Sequence, residues 1–146
     1  MDILVINEPF TRDFCRTQRW AARTRGRVLR APDWLAYATA VLEQRFPGNV
    51  KLYDFPALNW GREEYSALIK RESPSWIVLD STTPSIYSDI GYAKLAKEIK
   101  PQVKVIMVGP HVSALPEETL DIAGGSVDFV AIGEYDYTVR DIISNY

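Results

Sequence analysis

Three consecutive hydroxyls, Ser81, Thr82 and Thr83, one histidine, His111, and a close acidic pair, Glu134 and Asp136, carry most of the usable chemistry in this sequence. The hydroxyls can hydrogen-bond phosphate or amide groups, and Thr83 or Ser85 can equally cap a helix. Gly109 and Pro110 stand directly before His111. A glycine there admits close approach of a backbone or a ligand, or serves as plain turn chemistry. His111 has no second histidine to share a metal with, and organising a loop is the commoner use of such a residue. Glu134 follows Gly133 at a helix start, where a carboxylate also satisfies the helix dipole. Glu8 and Pro9 lead into seven arginines: Arg12, Arg16, Arg19, Arg23, Arg25, Arg27 and Arg30.

Familiar catalytic and nucleotide-binding patterns are missing. There is no GxxxxGK[ST] loop and no GxGxxG, so triphosphate and dinucleotide binding lose their usual support. The single cysteine, Cys15, excludes an internal disulfide and any multi-cysteine metal or iron–sulfur site within this chain. Spacing alone assigns no Cys15–His111 pair. Asp80 has the place of a receiver-type acceptor aspartate, but Glu8 stands alone where an acidic pair is needed, and no lysine follows Gly133.

The elements that position these residues alternate along the chain. Short apolar runs predict strands at Ile3–Asn7, Val50–Phe55, Trp76–Asp80, Val103–Val108 and Phe129–Ile132; four are nearly unbroken, as expected of strands covered on both faces. Helical patterns intervene. One starts at Pro32 and carries Leu35, Ala38, Val41 and Leu42 to a stop at Pro47–Gly48. Others span Glu63–Arg71, Ile86–Ile99, Pro116–Ile122 and Tyr137–Tyr146. This alternation predicts an α/β fold, one doubly wound, flavodoxin-like or Rossmann-like domain with a five-stranded parallel sheet in the order 2-1-3-4-5 and helices on both faces. Ligands of such sheets bind beyond the C-terminal strand ends, and Glu8, Ser81, Gly109 and Gly133 all fall there.

With 146 residues, 47% of them hydrophobic and 25% charged, the chain has the composition of one globular domain. No run reaches the ~18 apolar residues of a membrane span, and the N-terminus lacks a signal-peptide pattern. A soluble cytoplasmic domain is expected. The net charge of −2 is unevenly spread. Between Pro9 and Pro32 seven arginines face one acid, Asp13, a net of +6 that leaves −8 for the remainder. Such an insertion invites an anionic neighbour, or pairs with the acidic remainder. Nucleic acid is the weakest of the partner readings, because one basic segment is no broad basic face.

The rim loops taken together resemble a known family. APDWLAYATAVLEQRF after the long first loop, STTPS after the third strand, VGPHVSALPEETL after the fourth and VDFVAIGEYDYTVRDI at the end are similar to the N-terminal cobalamin-binding domain of cobalamin-dependent radical S-adenosylmethionine enzymes. The resemblance covers essentially the whole chain. Val108 replaces the family's frequent first glycine and Asp136 its second glutamate, and the first loop lacks the cobalt-ligating histidine of many cobalamin proteins. The resemblance implies a cobalamin-binding module of a methyltransferase or cyclase. Its tail would enter between strands one, three and four, near Glu8, Pro9, Ser81, Thr82, Thr83, Gly109, Pro110, His111, Gly133 and Glu134, with no protein ligand to the metal. The iron–sulfur cluster, S-adenosylmethionine and catalysis are expected of a further C-terminal radical domain that residues 1–146 do not include. The alternative is a cofactor-free flavodoxin-like regulatory or interaction domain whose basic insertion docks an acidic partner.

Within the insertion, Arg12, Arg16, Arg19 and Arg23 recur at intervals of four, three and four, the spacing of one helix face. Thr11 can cap its start and Gly26 can end it. A short basic helix on the ligand rim is therefore expected, with Arg16 and Arg19 facing the cofactor or the missing domain.

Overall fold

The structure, a computed structural model, describes residues 1–16, 22–23 and 29–146. Its main sheet contains β1 (Ile3–Asn7), β4 (Val50–Asp54), β5 (Trp76–Asp80), β6 (Lys104–Val108) and β7 (Phe129–Val130). They lie in the order β4-β1-β5-β6-β7, all parallel, which is the predicted 2-1-3-4-5 arrangement. The register sets Val5 beside Leu52 and Val78, and Leu79 beside Met107.

Both faces of the sheet are covered, which accounts for the unbroken apolar runs. Ile3 and Val5 of β1 point to one layer and Leu4 and Ile6 to the other, as the two-residue period of a strand requires. The first layer holds α1 (Asp33–Arg45) and α7 (Asp136–Asn145), with Leu35, Ala38, Leu42, Tyr135, Val139 and Ile143 buried against Val78 and Val108. The second holds α3 (Arg62–Glu72), α4 (Ile86–Ile99) and α6 (Pro116–Ala123), where Tyr65, Leu68, Ile69, Ile90 and Ala93 pack on Leu79 and Met107. Each fully buried Leu or Ile contributes roughly 1.5–3 kcal/mol before entropy is counted. Gly124 ends α6 in the left-handed conformation, φ +58°, a glycine stop of the predicted kind.

Two one-turn helices were not foreseen, α2 (Phe55–Leu58) and α5 (Pro110–Ala114). They are too short to show a hydrophobic period, although each carries proline in its first turn. None of the helices among the described residues is long and apolar enough to cross a membrane.

The insertion departs from expectation. Instead of a basic helix, β2 (Phe14–Cys15) pairs antiparallel with β3 (Ala22–Arg23). Asp13 adopts a left-handed φ of +58° after a turn closed by the Phe14 amide on Thr11 carbonyl, 3.2 Å, so Thr11 caps no helix. Phe14 is buried edge-on against Phe10, with ring centroids 4.9 Å apart. Four guanidiniums on one exposed helix face would have left Arg16 in water, whereas here it is drawn into the domain. Arg19, Arg25, Arg27 and Gly26 lie outside the described residues.

Candidate functional site

The C-terminal ends of β5 and β6 are tied together before any ligand is considered. Gly109 has φ +103°, and a Cβ there would fall on Asp80 Oδ1 and within 2.5 Å of the Ser81 carbonyl. Ser81 Oγ donates to the Val108 carbonyl at 2.6 Å, and the Ser81 amide donates to Asp80 Oδ1 at 2.9 Å. Gly109 is thus required by the close approach of the β5 loop, the backbone alternative of the two that its sequence position allowed.

A buried polar network lies beside this junction. The Arg16 guanidinium, 3% exposed as a residue, donates to Asp89 Oδ1 at 2.6 Å, to the Glu8 carbonyl at 2.5 Å and to Asn7 Oδ1 at 3.3 Å. It stands 4.0 Å from Glu8 Oε1. Asp89 Oδ2 accepts from Ser85 Oγ at 2.6 Å, and the hydroxyls of Ser85 and Thr82 share a 2.6 Å hydrogen bond. Asn7 Nδ2 donates to Asp54 Oδ1 at 2.8 Å, carrying the network across to β4.

Three carboxyls crowd around one guanidinium here, and none meets bulk water. Burial pushes Glu8 well above the usual carboxylate range, against the opposing pull of Arg16. Burial likewise raises Asp89, opposed by Arg16, and carries Asp80 up to about 7. Burial works to lower Arg16, but Glu8, Asp89 and Asp80 outweigh it, so the guanidinium stays charged. The carboxyl oxygens of Glu8 and the Nε of Arg16 have no hydrogen-bond partner among the described residues.

The remaining rim residues frame a cleft of about 550 Å³ on the α1/α7 face. Trp34 and Tyr37 of α1 form one wall, with Gly109, Pro110 and Ser113 opposite and Gly133 to Asp136 closing the end. Trp34 is 50% and Tyr37 63% exposed, so broad aromatic surface faces outward. Ser113 Oγ donates to the Gly109 carbonyl at 2.8 Å and receives the Gly133 amide at 2.9 Å, holding the two glycine loops at fixed separation. Tyr135 lines the same cleft, and its hydroxyl is buried without a partner among the described residues. Burial, reinforced by Asp80, raises its pKa, so it is present as a neutral donor.

The residues singled out from sequence therefore divide. Gly109, Pro110, Gly133 and Glu134 line this cleft. Ser81 lies beneath it and is fully engaged, while Thr82 belongs to the buried network with Glu8 and Arg16. Thr83 is exposed on the rim and holds His111, its Oγ1 3.2 Å from Nδ1. His111 is 4% exposed, the loop organiser of its two sequence readings, and Nε2 is buried without a partner among the described residues. Pro9 lies on the opposite face of the sheet. Arg16 is not on an exposed rim helix, because its charge is committed to Asp89. Sequence reasoning passed over Trp34, Tyr37, Ser113 and Tyr135. Trp34 and Tyr37 stand outside the buried Leu35–Ala38–Leu42 stripe of α1, so its helical period leaves them unassigned.

The sequence model of the B12 binding domain matches residues 31–143. An uncharacterised methyltransferase of Pyrococcus horikoshii is 30% identical over 112 residues, 77% of this chain and 24% of the relative. The chain thus spans about a quarter of that relative's length. Among solved structures, the radical S-adenosylmethionine methyltransferase TsrM from Kitasatospora setae, with tryptophan substrate and an S-adenosylmethionine analogue bound, superposes with a TM-score of 0.69 at 13% identity. The match covers 97% of this chain and 25% of that one. A putative pilus assembly-related protein of Burkholderia pseudomallei superposes at 0.55 and 12% identity, over 99% of this chain and 87% of its own. At these identities the two structures speak for the fold alone.

Proposed function

Because the chain belongs to the B12 binding domain family, we propose that it holds cobalamin as the cofactor module of a radical S-adenosylmethionine methyltransferase, with the nucleotide tail in the Trp34–Gly109–Gly133 cleft. The observation that carries the placement is the build of that cleft. Two loops meet there without side chains at Gly109 and Gly133, between an aromatic wall and a buried, unpartnered hydroxyl on Tyr135. A flat base suits Trp34 and Tyr37, the bare backbone at Gly133, with open space where a Cβ would stand, admits the tail closely, and Tyr135 can donate to an amide or phosphate oxygen. This differs from the expected entry between strands one, three and four. The mouth between β1 and β5 carries the Arg16–Asp89–Glu8 network, so an incoming tail would have to break buried ion pairs.

When bound, cobalamin supplies cobalt-centred methyl-transfer chemistry. The chain's own residues would bind and orient it. The Ser113 hydrogen bonds keep the glycine loops apart, and exposed Thr83 and Glu134 offer polar contacts to corrin amides. His111 is buried with Nδ1 held by Thr83, so its assigned role is to organise the rim loop. The methyltransferase reading draws on the Pyrococcus relative and on the TsrM fold. The iron–sulfur cluster and S-adenosylmethionine would belong to a further domain.

The test is retention of hydroxocobalamin through a desalting column, read from the visible spectrum. Near-stoichiometric corrin absorbance of the base-off type is expected. Trp34→Ala should lower retention, whereas Tyr87→Ala, an exposed aromatic on α4, should not. Absence of corrin from the wild-type protein would overturn the reading in favour of a cofactor-free interaction domain.

A further inference from the structure

A second cleft, of about 780 Å³, opens on the opposite face of the sheet, between the start of the insertion and the turn joining α2 to α3. We propose that it binds a small flat anion of the aromatic carboxylate class. It shares no lining residue with the Gly109–Gly133 cleft, and the inference is independent of the cobalamin reading.

The local sequence FPALNWGR builds one wall. The one-turn α2 ends at Asn59, whose left-handed φ of +52° reverses the chain so that the Trp60 amide bonds the Phe55 carbonyl at 3.0 Å. The Trp60 ring then sits edge-on to Phe55, centroids 5.4 Å apart, and stacks 6.1 Å from Tyr53. It is braced, yet only half-buried. Phe10, 38% exposed, and Tyr92 add further aromatic surface. Behind them Tyr65 packs against Phe55 and Tyr92, and its hydroxyl has no partner among the described residues.

The charges on the cleft decide the sign of its ligand. Arg62 is exposed at the first position of α3, where the helix dipole disfavours a cation, and its guanidinium has neither ion pair nor hydrogen bond among the described residues. Arg12 lines the same cleft and, among the described residues, is matched only by Asp13 at 3.9 Å. Aromatic walls alone would welcome an organic cation, but two arginines against one acid reverse that preference. A ring stacked on Trp60 with a carboxylate toward Arg62 satisfies both sets of groups, the fork of the guanidinium matching the two oxygens.

Titration with 2-naphthoate and its neutral isostere 2-naphthamide, followed by calorimetry and by the Trp60 indole NMR signal, tests this directly. The acid should bind about tenfold or more tightly than the amide. Arg62→Gln should remove that difference while leaving amide binding unchanged, and prior loading with cobalamin should alter neither. Equal affinity of acid and amide, an unmoved Trp60 signal, or an Arg62→Gln protein that still prefers the acid would each overturn the proposal. Trp34→Ala separates the two readings, since it should affect cobalamin retention alone.

Discussion

Gly109 shows how a single residue type can be demanded by a neighbour and not by a ligand. Its φ of +103° and the Asp80 and Ser81 atoms where a Cβ would lie leave no room for a side chain. Gly109→Ala should therefore cost about 2 kcal/mol or more, combining backbone strain with overpacking, and should appear as a lowered urea midpoint. Asp80, beside it, makes stability depend on pH. Carried up to about 7 by burial, its carboxyl keeps in the folded state a proton that the unfolded chain releases above about pH 4. Its contribution is thus complete in acid and is lost as pH rises toward 7, and Glu8 and Asp89 shift in the same direction. Asp80→Asn retains an acceptor for the Ser81 amide and removes the titration. Its unfolding free energy should fall less steeply than the wild type's between pH 5 and 7.5, by up to ~1.4 kcal/mol per pH unit from this one group. Identical slopes would show that Asp80 titrates as an ordinary carboxyl.

At the scale of elements, the insertion is anchored by a charge carried into the domain. Arg16 follows the β2 strand and reaches Asp89 on α4 and Glu8 after β1, so one side chain joins three elements. Removing it strands buried carboxyls, and breaking such a pair typically costs about 3–5 kcal/mol. Arg16→Met should be destabilised on that order at pH 7.5, and the deficit should be smaller at pH 5, because Arg16 holds down carboxyls that burial raises and is needed less as protons replace it. Arg12→Met, at an exposed position, should stay within about 0.5 kcal/mol. Urea denaturation of both variants at the two pH values checks this. The arginine spacing read as one helix face because intervals of four, three and four suit a helix. It misled because periodicity counts a charged residue as outward-facing, and the partner that buries Arg16 lies 73 residues away in sequence.

For the whole molecule, the two clefts lie on opposite faces of one parallel sheet, and each is roofed by the first turns of the helices that follow its strands. Trp34 lies on an exposed first turn, so Trp34→Ala should change unfolding free energy by no more than about 0.5 kcal/mol while reducing cobalamin retention. A matching loss of stability, read from the same urea series, would make its role structural instead.

The sequence by itself determined the α/β class, the strand order and the rim on which Ser81, Gly109 and Gly133 stand. Apolar runs of strand length, helical periods and glycine or proline stops are local signals, and right-handed crossovers leave few ways to assemble them. Tertiary structure alone decided which rim residues face outward. Arg16 is turned inward by Asp89, 73 residues away in the chain, and Glu8 and Thr82 are buried around that pair, while Trp34, Tyr37 and Tyr135 are brought to the cleft by packing of α1 against α7. Orientation at a strand end depends on which polar groups can satisfy one another once water is excluded, and that is a property of the assembled sheet.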